Sequence, residues 1–159
     1  TWSLVGSEMC IRDSPIVAAG GIVDGIGMAA AFAAGADGIQ MGTRFVSSLE
    51  SPVHENFKGA IVNGSEQGTY ILNKKAKPCI RALKTELTDK IYEEGLMDMS
   101  ALSGIKDLYF GGDMNAAPAL AGQSIGLINE VLPVEQIIKQ TMQEFNSVCE
   151  SLSNSKFEL

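Results

Sequence analysis

Apolar and polar positions fall in blocks along the chain, and the block starting at Pro15 carries the clearest signal. Pro15–Ala19 is a short apolar run of the kind a fully buried parallel strand needs. Gly20-Gly21 breaks it where the chain must turn with no Cβ in the way. Asp24 is placed to cap a helix running to about Ala34, and Gly35 supplies the left-handed residue that ends one. Ile39–Met41 reads as the next strand, cut by Gly42-Thr43. The whole is one βαβ unit of about 30 residues. Both glycine turns then fall at the carboxyl ends of adjacent strands, where parallel α/β folds bind ligands.

Further along, Ser51 is expected to cap a helix with Pro52 at its first position. Val53, Phe57, Ala60 and Ile61 form its apolar face, and Asn63-Gly64 ends it. Gly68–Asn73 reads as a short extended segment. Pro78 is expected to open a helix to about Glu94, with Ile80, Leu83, Leu87 and Ile91 facing inward. From Met97 to Gly126 the pattern is irregular and glycine-rich, and Met97, Met99 and Met114 read as adaptable packing. Pro133 opens the last helix. Its stripe of Val134, Ile137, Ile138, Met142, Phe145, Val148 and Leu152 is expected to be core.

Size and composition narrow the classes. The 145 residues that follow residue 14 are enough for one domain with its own core, but not for a closed (β/α)8 barrel, which needs roughly 250. A net charge of −7 with one histidine argues against a nucleic-acid surface, which wants a basic stripe. No apolar run of about 18 residues is present to span a membrane. Cys10, Cys79 and Cys149 lack metal-ligand spacing, so no metal site is expected and a reduced, cytoplasmic setting is the simple reading. Leu4–Ser14 (LVGSEMCIRDS) matches the translation of a transposase adapter used in sequencing libraries. Residues 1–14 are therefore read as an artefact, and the fold is read from Pro15.

The turns suit a phosphate monoester dianion, held by converging backbone N–H groups with help from a helix N-terminus. Gly20 and Gly21 permit close approach, Gly42 does the same from the next loop, the Thr43 hydroxyl adds a donor, and Gln40 lies at the strand end. Each donor contributes on the order of a kcal/mol, more to a charged acceptor. His54, near a helix start, is read as a residue bonding its neighbouring loop in preference to a catalytic base. Lys74, Lys75 and Lys77 are read as a solvated loop, and Arg81 as an exposed helix arginine.

PIVAAGGI followed by AAGADGIQMGTRF, with SLESPVHENFK behind it, resembles the nitropropane dioxygenase-like flavin barrels. That family holds the nitronate monooxygenases and the flavin-dependent enoyl-acyl carrier protein reductases. The resemblance implies an α/β fold, the C-terminal part of a (β/α)8 TIM barrel. Residues 15–50 would be its last two βα units, 51–132 a helical extension, 133–152 a closing helix and 153–159 a tail. It implies FMN as cofactor, bound through Gly20, Gly21, Gln40, Met41, Gly42, Thr43 and Gln123. The last lies in GQSIGLI, similar to a family G-Q-x-A-G-L-I stretch but with Ile125 where alanine is common. RALK is similar to a family R-A-x-K-N segment, which would bring Arg81 to the active-site mouth. No catalytic residue is expected here, because the family's catalytic histidine belongs to upstream strands. The implied activity is FMN-dependent oxidation of small alkyl nitronates, with O2 completing the reaction, the polypeptide as it stands being an inactive fragment. The alternatives are NAD(P)H-dependent enoyl-acyl carrier protein reduction and a phosphate-binding barrel of the inosine monophosphate dehydrogenase kind. Substrate choice and oligomeric state are not encoded in these motifs.

Overall fold

A computed structural model describes residues 14–155, so most of the adapter-like segment lies outside the described residues. In chain order the elements are β1 (Val17–Ala19), α1 (Gly25–Ala33), β2 (Gly38–Gln40), α2 (Thr43–Val46), α3 (Glu55–Val62), β3 (Thr69–Leu72), β4 (Ile80–Leu83), α4 (Glu86–Glu94) and α5 (Val134–Asn154). Short 3-10 turns occupy Met99–Leu102 and Gln123–Leu127, and a π turn occupies Asp107–Gly111. Two compact units divide the described chain. One holds the residues up to Met41 together with those from Ile138 onward, and the other holds Gly42–Ile137.

In the first unit β1 and β2 pair in parallel, with Val17 opposite Gly38, Ala18 opposite Ile39 and Ala19 opposite Gln40. Asp37 sets this register. Its carboxylate accepts from the Ile16 N–H at 2.8 Å, and its own N–H donates to the Ile16 carbonyl at 2.8 Å. Asp24 caps α1 as expected, accepting from the Gly27 N–H at 2.7 Å, and Gly35 follows the helix at φ +98°. The later turns of α5 lie against α1. The Phe32 and Phe145 rings stand 5.5 Å apart, and a Cβ on Gly25 would run into the Thr141 carbonyl and the Phe145 amide. Close approach of the two helices therefore requires glycine at 25.

Two expectations fail in this unit. The first strand is not buried, Val17 being 57% exposed. The α5 stripe is core only in part, since Ile137 is 1% exposed but Ile138 is 49% exposed, and Met142 and Leu152 are also exposed. A barrel strand is buried by neighbours on both sides and by an outer helix layer, and among the described residues β1 pairs with β2 alone.

The second unit closes around its own apolar residues. β3 and β4 form an antiparallel hairpin, with Thr69 opposite Leu83 and Leu72 opposite Ile80. Residues 80–83 are thus strand, correcting the helix expected from Pro78. Helical spacing of Ile80, Leu83, Leu87 and Ile91 misled because the real start is Thr85, whose hydroxyl accepts from the Thr88 N–H while the Thr88 hydroxyl accepts from the Thr85 N–H. Leu72, Ala82, Ile91 and Met97 pack together under the hairpin. Elsewhere in the unit Phe57, Ile61, Leu108, Ile125 and Ile128 are fully buried, and the Phe57 ring stands 5.3 Å from that of Tyr109. The helix carrying Phe57 begins at Glu55, not Pro52. Ser51 donates its N–H to the Ser48 hydroxyl at 3.2 Å, and the His54 N–H donates to the Tyr109 carbonyl at 2.6 Å. These bonds hold residues 51–54 out of the helix, and the cap passes to His54.

Candidate functional site

The sequence-predicted residues fall into two sets, one per unit. In the first, Gly20 (φ +97°) and Gly21 (φ +76°) are consecutive left-handed residues directly after Ala19. Side chains rarely adopt either conformation, so the turn requires glycine twice. Ala19 pairs with Gln40, which puts the glycine turn next to Met41 at the carboxyl end of the parallel pair. Gly20, Gly21 and Gln40 are exposed and Met41 is half-buried. A Cβ on Gly20 would meet no atom within 4 Å, leaving room for a ligand at that face.

The N-terminus of α1 is taken up by the chain's own side chains. The Gly27 N–H donates to Asp24 at 2.7 Å, and the Gly25 N–H donates to a Glu144 carboxylate oxygen at 2.8 Å. Two carboxylates of the chain itself therefore occupy the positive end of α1. Glu144 had no signal in the sequence beyond its place on the polar face of the last helix.

In the second unit Gly42 precedes α2 with right-handed torsions, φ −98° and ψ −72°. Its carbonyl accepts from the Phe45 and Val46 N–H groups at 3.0 Å each. The Thr43 hydroxyl accepts from the Gly122 N–H at 2.9 Å. That bond brings the Gly42-Thr43 turn beside Gly122-Gln123, two segments the sequence paired only by resemblance. The accepting oxygen keeps its own proton to donate. Gln123 is exposed at the start of its 3-10 turn. Gly126, in contrast, is a packing residue, because a Cβ there would stand 2.8 Å from the Glu66 amide nitrogen.

The remainder of the motif holds this unit together. Arg44 is buried and donates to the Glu130 carbonyl at 2.8 Å. Ser48 bridges to Leu132. Glu50 accepts from the Val134 N–H through both carboxylate oxygens, at 3.0 and 2.9 Å, and so caps α5. Lys58, also buried, pairs with Glu55 at 3.1 Å. His54 is an N-cap whose Nδ1 accepts from the Asn56 N–H at 3.1 Å, in keeping with a helix-start residue. Arg81 is on strand β4, not on a helix, and donates to the Thr69 hydroxyl at 2.9 Å. Lys74 stands over the Tyr92 ring at 4.7 Å, beside a cavity of about 280 Å³ lined by hairpin and α4 residues. Tyr109, half-buried, has its hydroxyl pKa pushed up by desolvation. No cluster of three or more potential metal ligands occurs among the described residues, and none of their helices is long and apolar enough to cross a membrane.

Fold and turns together define part of a (β/α)8-barrel protein with a glycine-lined strand end. A sequence model of nitronate monooxygenase matches residues 1–144, and the chain belongs to that family. It is 30% identical over 156 residues to a probable nitronate monooxygenase of Staphylococcus saprophyticus, covering 92% of this chain and 44% of the relative. A probable nitronate monooxygenase of Staphylococcus aureus (strain Newman) is 33% identical over 127 residues, 79% of this chain and 34% of the relative. Among solved structures, FabK from Thermotoga maritima superimposes with a TM-score of 0.83 at 40% identity, over 89% of this chain and 47% of that one. A nitroalkane oxidase from Streptomyces ansochromogenes gives 0.76 at 26% identity, over 94% and 44%. The chain thus spans less than half the length of these relatives.

Proposed function

We propose that this chain is the phosphate-holding part of an FMN-dependent oxidoreductase acting on small alkyl nitronates. The observation that carries the reading is the pair of left-handed glycines at the carboxyl end of β1, next to Gln40 and Met41, with open space beside Gly20. Successive backbone N–H groups in such a turn suit a phosphate dianion. Gly42, Thr43 and Gln123 are assigned to the same cofactor by the sequence resemblance. The Thr43 proton not engaged by Gly122 supports that assignment for the hydroxyl.

When bound, the flavin supplies the electron-accepting ring, with O2 as the final acceptor. The residues of this chain hold and orient it. The acid–base group is assigned to barrel strands outside the chain, since His54 already serves as a helix cap. A cytoplasmic setting suits the free, exposed thiols of Cys79 and Cys149.

Enoyl-acyl carrier protein reduction with NAD(P)H is the second reading. It is favoured by the 40% identity to FabK, against 30% and 33% to the two nitronate monooxygenases. Both readings require that the full-length protein purify yellow and release FMN on denaturation. A Gly21→Val variant should lose the flavin, and a variant that retains it as tightly as wild type refutes the phosphate turn. Oxygen consumption with an alkyl nitronate, set against NAD(P)H oxidation with an enoyl thioester, then separates the two substrates.

A further inference from the structure

Resting on the FMN reading, we propose that Glu144 of α5 is a positioning residue for the phosphate-gripping turn. The glycine turn is fixed on its strand side by the Ala19–Gln40 pairing. On its helix side only Ile22, Val23 and Asp24 separate Gly21 from Gly25, and Val23 and Gly25 are buried. Gly25 is where α5 takes hold. Its N–H donates to the Glu144 carboxylate at 2.8 Å, and its Cα packs so closely on Thr141 and Phe145 that a side chain would collide with their backbones. A segment this short has little slack, so the Glu144 contact sets where α1 begins and how the preceding turn presents its N–H groups. Asp24 cannot do this alone, because its bond to Gly27 lies within α1 and ties that helix to no other element.

The same two carboxylates at the head of α1 specify how the phosphate is held. It is gripped by the turn, while the helix donors at Gly25 and Gly27 are already met by the chain. Glu144 thus acts through hydrogen-bond geometry and not through its charge, which faces the same way as the phosphate's.

The test compares FMN with riboflavin, which lacks the phosphate, by flavin-fluorescence titration of the full-length protein. Glu144→Ala should weaken FMN on the order of tenfold, the scale of one lost hydrogen bond to a charged acceptor, and leave riboflavin unchanged. Glu144→Gln, whose amide oxygen still accepts from Gly25, should restore FMN binding. If the alanine variant does not fold, Glu144→Asp, with its acceptor withdrawn by one methylene, gives the same comparison. Equal losses for both flavins, tighter FMN binding in the alanine variant, or a glutamine variant no better than alanine would each overturn the positioning role. A wild-type protein holding riboflavin as tightly as FMN would instead sink the phosphate reading beneath it.

Discussion

The two units bury their apolar residues very differently. Around the β3–β4 hairpin and α3, the second unit has Phe57, Ile61, Leu108, Ile125 and Ile128 at or near zero exposure. In the first, Val17, Ile26, Ile138, Met142 and Leu152 are exposed, and among its described residues Val23 is the large apolar residue that is buried. An antiparallel hairpin can be closed by one helix and adjoining loops, all local in sequence. A parallel strand reaches full burial only between neighbours on both sides with helices outside. The difference teaches that the second unit carries its own core, whereas the first is a pair of strands that the rest of a barrel would complete.

Substitutions that act on one unit alone sharpen this contrast, with amide hydrogen exchange reporting each element separately. The largest effect is expected for Phe57→Ala, which should cost about 3–5 kcal/mol of protection in α3, Phe57 being fully buried. Protection in the β1–β2 pair should be unchanged, and parallel loss there would break the two-unit picture. Gly25→Ala should cost about 1–3 kcal/mol through overpacking against α5, read as faster exchange in α1. Val17→Thr, at an exposed strand position, should change protection by no more than about 0.5 kcal/mol. A larger loss would mean that β1 is buried in solution, as by self-association.

The smallest effect is a pH dependence. The Ser100 N–H donates to the Asp98 carboxylate at 2.8 Å and holds that carboxyl's pKa below its ordinary value. A lowered folded value means stability present above the unfolded value and lost as pH falls through the folded one. The advantage of wild type over Asp98→Asn should therefore be present at neutral pH and close in acid. An advantage that persists unchanged in acid would remove the carboxylate as its source.

Legibility in the sequence followed the range of the determining contacts. The βαβ unit could be read because an apolar run, a double glycine and a capping aspartate are each local signals. Gly20, Gly21 and Gly35 have the left-handed torsions that make glycine necessary there, whereas Gly42 does not. The β4 strand could not be read, because it exists through pairing with β3 and its residues also fit a helical stripe. The start of α3 was misplaced since the bond that keeps residue 54 out of the helix reaches Tyr109. At the candidate site the turn residues were visible, but their supports were not. Glu50, Arg44 and Glu144 bond to segments more than 80 residues away, and no local pattern distinguishes such residues from ordinary surface charge.

The bond between Gly122 and Thr43 spans 79 positions of sequence through a single oxygen. Grafting the 122–127 segment from a relative would consequently preserve its seating only if residue 43 also keeps a hydroxyl. Valine has nearly the shape of threonine but no oxygen, so it would leave the graft correctly spelled and wrongly seated.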